Sequence, residues 1–195
     1  MKYFKFVVFL YFVLLTNIYA VDTVEGLSFG INSGFLHSPN AEKFSLFALD
    51  GWNKKFNTST FITLGCSAKY GLNDKVGIEV GIKKPIAANI DLYIYNYEMF
   101  YVFNPYEKNR YYGKIGGLYG KLNSDEFENY GKFNVANGLT YTLGAEFGYS
   151  DFLFNLSLSY FNIDFDYSKN RTVLGSDKFD FSGILILCSY YYYFK

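Results

Sequence analysis

Residues 138–160 read GLTYTLGAEFGYSDFLFNLSLSY, and this stretch decides the fold. Apolar or aromatic side chains occupy every second position from 139 to 149, with glycine, threonine or glutamate between them. A strict period of two is typical of a β-strand, because an α-helix repeats every 3.6 residues. The alternation resumes after Ser150 and Asp151 and continues from 152 to 160. The stretch therefore predicts a hairpin of two amphipathic strands joined by a tight turn.

The same alternation recurs along the chain, so we predict eight strands. They cover residues 25–35, 58–70, 75–83, 90–103, 111–122, 138–149, 152–160 and 179–194. One face of these strands is rich in leucine, isoleucine, phenylalanine and tyrosine, whereas the other holds mostly glycine, serine, threonine and asparagine. Such strands suit either a soluble sandwich with one wet face or a closed barrel with lipid outside and a polar lumen inside.

The lengths of the connections favour the barrel. Three connections are short (71–74, 104–109 and 150–151) and three are long and polar (36–57, 123–137 and 166–178). The two kinds alternate, and only the segment 84–89 departs from the pattern. Transmembrane barrels have short periplasmic turns and longer extracellular loops. We therefore predict an all-β fold, an eight-stranded antiparallel up-and-down transmembrane β-barrel with both chain ends on the periplasmic side.

Aromatic residues cluster at outward positions beside the short turns. The cluster comprises Tyr70, Tyr101, Tyr111, Tyr149, Phe152 and Tyr192. Aromatic belts of this kind mark the interface between a membrane and water. A lipocalin is the soluble eight-stranded alternative, indicated by Gly51 and Trp52. It would turn the apolar faces inward and leave an outer coat of small residues, so we favour the membrane barrel.

The first 20 residues are predicted to be a secretory signal peptide, and the barrel domain then spans 21–195. Lys2 and Lys5 precede an apolar run from 6 to 15, and the segment ends with the small residue Ala20. The apolar run is shorter than the ~20 residues that a transmembrane helix needs. Without Lys2 and Lys5, the 18 basic and 18 acidic residues become 16 and 18. A nearly neutral chain argues against nucleic acid as a partner.

Several segments resemble small eight-stranded bacterial outer membrane proteins. They are YYGKIGGLYGKL at 111–122, the hairpin at 138–160 and the terminal YYYYF at 190–194. This class contains the OmpA transmembrane domain and the OmpX-like and opacity-type porin family proteins. The resemblance implies a monomer in the outer membrane, with membrane lipid and the barrel assembly machinery as partners. It also implies a C-terminal assembly signal at Tyr190, Tyr192 and Phe194, although Lys195 follows the last of them.

The sequence gives little support for an enzyme. His37 stands next to Ser38, and some outer membrane barrels use histidine and serine to modify lipids. Neighbouring side chains in a loop point apart more often than together, and no acidic partner can be assigned. The chain shows no metal-ligand cluster, Walker loop or dinucleotide-binding glycine pattern. We therefore expect no catalysis, no cofactor and no metal.

The long connections contain aromatic residues that we expect to be exposed. They are Phe44, Phe47, Trp52, Phe56, Phe127, Tyr130, Phe133 and Tyr167. Exposed aromatics often mark contact with a partner or with lipopolysaccharide, although packing of the loops on themselves is an equal alternative. We therefore favour a structural or surface-interaction role, in adhesion or envelope integrity, through extracellular loops that could bind a host or surface ligand.

The lumen is predicted to hold a cluster of charges. By strand parity four ionisable residues point inward at one level, with two amides beside them: Glu79, Glu98, Lys114, Glu146, Asn96 and Asn155. We expect Lys114 to pair with Glu98, Glu146 or both, because an isolated buried charge is very costly. Three carboxylates against one lysine would leave the cluster negative. Side chains can fill a barrel of eight strands, so this cluster would close the lumen.

Two other functions stay open. If the charged groups are separately hydrated in a wet lumen, the chain would be a narrow, weakly cation-selective pore. A lipid-modifying enzyme carried by the loops is the third possibility.

Overall fold

Strands make up most of the part of the chain that the structure describes. The structure is a computed structural model that describes residues 26–48, 53–55, 58–87, 90–107, 109–123, 131–149, 152–169, 173–175 and 177–194. The predicted signal peptide at 1–20 lies outside the described residues. The strands are β1 (Gly26–His37), β2 (Ser45–Ala48), β3 (Asn53–Lys55), β4 (Thr60–Gly71), β5 (Val76–Ala87), β6 (Ile90–Val102), β7 (Asn109–Asn123), β8 (Gly131–Phe133), β9 (Ala136–Tyr149), β10 (Phe152–Lys169), β11 (Val173–Gly175), β12 (Lys178–Asp180) and β13 (Gly183–Phe194). One 3₁₀ turn, Ala41–Lys43, precedes β2. Among the residues that the structure describes, no helix has the length and hydrophobicity to span a bilayer.

The eight long strands form a closed barrel. Each of β1, β4, β5, β6, β7, β9, β10 and β13 pairs antiparallel with the next one along the chain. The circle closes between the first and the last strand, where Leu27 lies opposite Phe194 and His37 opposite Ile184. The predicted fold class, an eight-stranded antiparallel up-and-down β-barrel, is therefore confirmed.

The outer face of the barrel carries an apolar belt. On β10 the outward side chains of Phe152, Leu158 and Tyr160 are 38%, 54% and 52% exposed. The next outward positions on this strand are polar, beginning with Asn162 and Asp164. The belt therefore ends near Tyr160. We call the end of the barrel beyond it the long-loop end and the opposite end the short-turn end.

The inner face of the same strand changes polarity at the same height. Ser157 and Ser159 point inward within the belt, whereas Phe161, Ile163 and Phe165 are the buried inward residues beyond it. Below this level β10 is apolar outside and polar inside, and above it the arrangement is reversed. The reversal fits lipid around the lower part of the strand and water around its end.

Beyond the belt the strand ends and connections pack into a structure of their own, which we call the extension. It comprises the 3₁₀ turn, the short strands β2, β3, β8, β11 and β12, and residues 162–169 of β10. Within it β12 and β8 pair with the end of β10, while β2 pairs with both β3 and β11.

Three predicted boundaries are wrong in the same region. β10 continues to Lys169 instead of ending at Tyr160, because its alternation persists after the polarity reverses. The predicted last strand is divided into β12 and β13 by Phe181 and Ser182. The segment 84–89 is not a loop, since β5 runs to Ala87 and β6 begins at Ile90. The connection between β5 and β6 is thus very short, although it lies at the end of the barrel where the other connections are long.

The aromatic cluster at the short-turn end faces outward as predicted. Tyr70, Tyr101, Tyr111 and Tyr192 are 41–54% exposed, and Tyr192 packs edge-on against Phe194 with ring centroids 5.0 Å apart. The side chain of Tyr149 lies outside the described part of the chain. The rings occupy the edge of the apolar belt, where amphipathic aromatic side chains favour the membrane interface.

Several glycines on the barrel wall lie where a side chain would collide with a neighbouring strand. Substituting one of them tests the packing. A Cβ atom on Gly116 would overlap the carbonyl oxygen of Tyr97 and lie 2.6 Å from the Cα atom of Glu98. Because backbone atoms cannot move aside, Gly116→Ala is expected to destabilise the barrel by about 1–3 kcal/mol. Gly113→Ala on the same strand is the matched control, since its nearest neighbour would be Phe103 at 3.4 Å. Urea unfolding in lipid vesicles measures both variants, and equal midpoints would contradict the packing argument.

Candidate functional site

Charged side chains from five neighbouring strands meet in the lumen near the short-turn end. Strand parity turns each of them inward, and all are at least nine-tenths buried: Lys69 on β4, Glu79 and Lys83 on β5, Glu98 on β6, Arg110 and Lys114 on β7, and Glu146 on β9. The two amides of the predicted cluster, Asn96 and Asn155, are 2% and 1% exposed. The structure therefore places all six predicted residues inside the barrel, together with Lys69, Lys83 and Arg110.

Glu79 is the centre of the first network. Its Oε2 atom accepts a hydrogen bond from Lys114 Nζ at 2.5 Å, and its Oε1 atom accepts one from the Tyr191 hydroxyl at 3.1 Å. The Tyr191 hydroxyl also lies 2.8 Å from Ser67 Oγ, to which Asn32 Nδ2 donates at 3.3 Å. These contacts link strands on opposite sides of the lumen, so the network ties the barrel across its interior.

Glu146 is the centre of the second network. Lys69 forms a short ion pair with its Oε1 atom, and the Arg110 guanidinium lies 3.6 Å from its Oε2 atom. Asn155 Nδ2 donates to Glu146 Oε1 at 3.3 Å and accepts a hydrogen bond from the Tyr112 hydroxyl at 2.5 Å. The carboxylate thus has two cations and an amide around it, which offsets the cost of its complete burial.

Aromatic rings also surround the Lys69 ammonium group. Its Nζ atom lies 4.7 Å from the ring centroid of Phe100 and 5.2 Å from that of Tyr112. Ring faces attract a desolvated cation, so these contacts add to the ion pair with Glu146. The rings belong to the apolar groups that line the lumen at the short-turn end.

Glu98 is held by neutral groups. Asn96 Nδ2 donates to it at 2.7 Å and Thr142 Oγ1 at 3.2 Å. Within the described residues, no lysine or arginine lies within ion-pair distance of Glu98. It stands directly opposite Glu79 on the neighbouring strand, so the two carboxylates share the positive charge of this part of the lumen.

Two parts of the predicted cluster are wrong. Lys114 pairs with Glu79 and not with Glu98 or Glu146, because Lys69 and Arg110 already hold Glu146. The cluster is also not negative, since four basic and three acidic side chains of the described strands face the lumen. Arg110 was missed because the predicted strand began one residue after it. Strand parity turns Lys69 and Lys83 inward, but it does not predict where along the barrel axis their side chains lie.

The predicted loop aromatics are not exposed where the structure describes them. Phe44 and Tyr167 are 2% and 3% exposed, and Phe133 is partly buried. Ring centroids of Phe44 lie 5.4 Å from Phe133, 5.8 Å from Tyr167 and 5.2 Å from Phe179. The loops pack on themselves because β10 and β12 bring these rings over the open end of the barrel. Trp52, Phe56, Phe127, Tyr130 and the side chain of Phe47 lie outside the described residues.

Below these rings, an apolar core fills the long-loop half of the lumen. It includes Phe61, Leu92, Leu118, Phe161 and Leu185, each at most 5% exposed. The aromatic cluster of the extension belongs to the same core. The predicted polar lumen is therefore only half correct, because the inward faces of several strands turn apolar towards the long-loop end.

His37 and Ser38 point in different directions. The His37 ring is exposed, with Nδ1 2.9 Å from Thr60 Oγ1, whereas the Ser38 side chain is fully buried. In the part of the chain that the structure describes, no three His, Cys, Asp or Glu side chains are arranged to hold a metal. The residues of the predicted assembly signal, Tyr190, Tyr192 and Phe194, face outward and are 41–53% exposed.

A closed barrel of eight antiparallel strands with an apolar outer belt is the fold of small eight-stranded outer membrane proteins, which confirms the predicted resemblance. Outer membrane protein OprG from Pseudomonas aeruginosa matches with a TM-score of 0.64 and 18% identity, over 89% of this chain and 99% of that one. Neisserial surface protein A matches with a TM-score of 0.55 and 16% identity, over 87% and 100%. The N-terminal β-barrel domain of Pseudomonas aeruginosa OprF matches with a TM-score of 0.53 and 11% identity, over 87% and 98%.

Identities this low establish a common fold and leave the function to be argued from this chain. No protein family matches the sequence, and no curated protein matches it either.

The ion pair between Lys114 and Glu79 is expected to stabilise the barrel. Lys114→Met would leave Glu79 buried without its cation and should lower the free energy of unfolding by about 3–5 kcal/mol. Lys114→Met combined with Glu79→Gln removes both charges and should recover most of that loss. Lys75→Met, in the exposed short turn, is the control and should change stability by less than ~0.5 kcal/mol. Equal unfolding midpoints for Lys114→Met and the control would show that the pair is not structural.

Proposed function

We propose that this chain is an outer membrane protein whose closed barrel carries a packed extracellular extension that binds a partner at the cell surface. One observation supports this proposal above the others. The apolar core of the long-loop half continues without a break from Phe161 and Phe181 in the barrel to Phe179 and Phe44 in the extension. Barrel and extension thus share one core, and a rigid surface can bind a partner at a low entropic cost.

The outer membrane location rests on the outer face of the barrel. Its exposed apolar side chains include Ile31, Leu64, Met99, Leu143 and Ile186, each 49–69% exposed. A continuous belt of this kind around a closed barrel is compatible with lipid and not with water. We further propose that residues 1–20 direct export, that the assembly machinery recognises Tyr190, Tyr192 and Phe194, and that the barrel is a monomer.

Polar contacts tie the first long connection to the extension. Asn40 Nδ2 donates to Asp180 Oδ2 at 2.5 Å, and the Ser182 backbone N–H donates to Asp180 Oδ1 at 2.9 Å. Although burial acts in the opposite direction, the hydrogen bonds from Ser182 and Asn40 lower the pKa of Asp180. Burial and the negative charge of Asp180 together raise the pKa of Asp164, which lies opposite it on β10. An ionised Asp180 therefore keeps the Asn40 contact over the physiological pH range.

A pore is the less favoured alternative, because ionic networks occupy the short-turn half of the lumen and an apolar core occupies the other half. The prediction that such a pore would prefer cations is also not supported, because the described lumen residues carry one more positive than negative charge. An enzymatic role also lacks support, because the exposed His37 and the buried Ser38 do not face each other.

Protease applied to whole cells tests the orientation of the barrel. Cleavage is expected in the long connections at 36–57, 123–137 and 166–178, because they would face the medium. Lys75 in the short turn should be cut only after the cells are permeabilised. Folding is monitored by the shift of unheated protein on detergent gels, which reports a closed barrel. Cleavage of intact cells at Lys75 alone would show that the orientation is inverted.

Replacing residues 41–57 and 167–178 with short Gly-Ser connections tests the role of the extension. The barrel should still form, because its eight-strand pairing lies below these segments, while adhesion to immobilised host or surface ligands should be lost. Replacing the short turn 104–107 with a Gly-Ser turn is the matched control and should leave adhesion intact. Undiminished adhesion by a folded barrel without the extension would contradict the proposed function.

A further inference from the structure

Two outward-facing lysines lie on one side of the barrel, towards the long-loop end of the apolar belt. Lys84 is on β5 and Lys121 is on β7, and Tyr93 on β6 lies between them, directly opposite Lys121 in the β6–β7 ladder. We call these three residues the basic row. On the other barrel strands, the outward positions where the apolar belt ends are His37, Thr60, Asn137, Asn162 and Ser182. Among the described outward positions of the eight barrel strands, lysine therefore occurs only on β5 and β7.

Contacts along the row hold Lys84 against the barrel wall. Its Nζ atom donates to the Tyr93 hydroxyl at 3.0 Å and lies 4.7 Å from the centroid of that ring. It also forms an ion pair with Asp91 Oδ1 at 2.6 Å. Lys84 and Asp91 are 44% and 50% exposed, so the ammonium group is open to a ligand from outside. Lys84, Lys121 and the neighbouring Asp91 together carry one net positive charge.

An apolar groove on the outer face of the barrel adjoins the β5 end of the row and extends away from it across β4 and β1 to β13. Its volume is about 730 Å³; Val80, Ile82 and Tyr95 line the part nearest Lys84, and Ile31 and Tyr190 line the part farther away. Ile82 is two residues from Lys84 on the same face of β5, a distance of roughly 7 Å along the strand. The cationic row and the adjoining apolar groove match the two parts of a lipid. The row suits an anionic head at the membrane surface, and the groove suits an acyl chain in the hydrocarbon layer.

The hairpin that carries Lys84 and Tyr93 has a very short connection at the long-loop end. The connection between β5 and β6 spans only residues 88 and 89, whereas the extension arises from the long connections after β1, β7 and β10. A lipid headgroup beside β5 and β6 therefore meets no long loop rising from the same hairpin.

We propose that the basic row and the groove form a binding site for a phosphorylated lipid of the outer leaflet. The lipid phosphate lies between Lys84 and Lys121 and accepts a hydrogen bond from the Tyr93 hydroxyl, and one acyl chain fills the groove. Asp91 competes with the phosphate for Lys84, so it weakens binding and sets the affinity of the site. This inference rests on the membrane location proposed above and adds the chemical class of a lipid partner.

Binding of diphosphoryl lipid A to the full barrel in detergent micelles tests the site. Fluorescently labelled lipid A is titrated into the wild type, Lys84→Gln/Lys121→Gln and Asp91→Asn. Each lysine near an anionic surface contributes to the binding free energy, so loss of both lysines should weaken binding about 30-fold. Asp91→Asn should strengthen binding several-fold, because it removes the competing carboxylate. Lys132→Gln/Lys178→Gln removes the same charge from the extension and should leave the affinity unchanged.

Each outcome decides for or against the site. Equal losses in the two double variants would show that only net charge matters, and would overturn the proposal. Undiminished binding of lipid A from which both phosphates have been removed would do the same, as would equally strong competition by inorganic phosphate. If Lys84→Gln/Lys121→Gln fails to fold, Asp91→Asn alone decides, because it keeps both lysines. A wild type that does not shift on unheated gels would refute the membrane barrel itself, independently of the lipid site.

Discussion

A chain that crosses lipid must pair every backbone N–H and C=O group within itself, and the rest of this structure follows from that constraint. The pairing of β1 with β13 satisfies it by removing both edges of the sheet. Closing only eight strands leaves a narrow interior that side chains fill. Glycine is consequently needed where two large groups would collide, as at Gly144, whose missing Cβ makes room for the Tyr112 ring.

Closure also moves charged side chains away from water, and their arrangement reflects the cost. Glu79 and Glu146 each have a lysine partner and further hydrogen bonds, so neither carboxylate is buried alone. Pairs of this kind stabilise a barrel less than an apolar core of the same volume would, but removing one partner is strongly destabilising. Their contacts cross the lumen and connect distant strands, which makes the ionic layer a brace for the barrel.

The reversal of polarity along β10 divides the molecule into two environments. Within the belt, apolar residues face outward and polar residues face the lumen. Beyond Tyr160 the same strand keeps its parity while its apolar residues turn inward to a core shared with Phe44 and Phe179. The extension is thus organised like a soluble domain, although it is built on the strands of a membrane barrel. The basic row lies at the boundary between the two environments, where lipid headgroups are expected.

The sequence by itself determined the eight barrel strands, apart from some of their ends, together with their parity and the class of fold, because a period of two depends only on neighbouring residues. It also placed Glu79, Glu98, Lys114 and Glu146 on the inner face for the same reason. Only the tertiary structure decided which of them meet, since that depends on how far each strand is shifted against its neighbours around the barrel. That shift brings Lys114 to Glu79 and leaves Glu146 to Lys69 and other groups. The burial of the loop aromatics was equally beyond local reasoning, because the core that buries them is assembled from segments more than a hundred residues apart, such as those carrying Phe44 and Phe179.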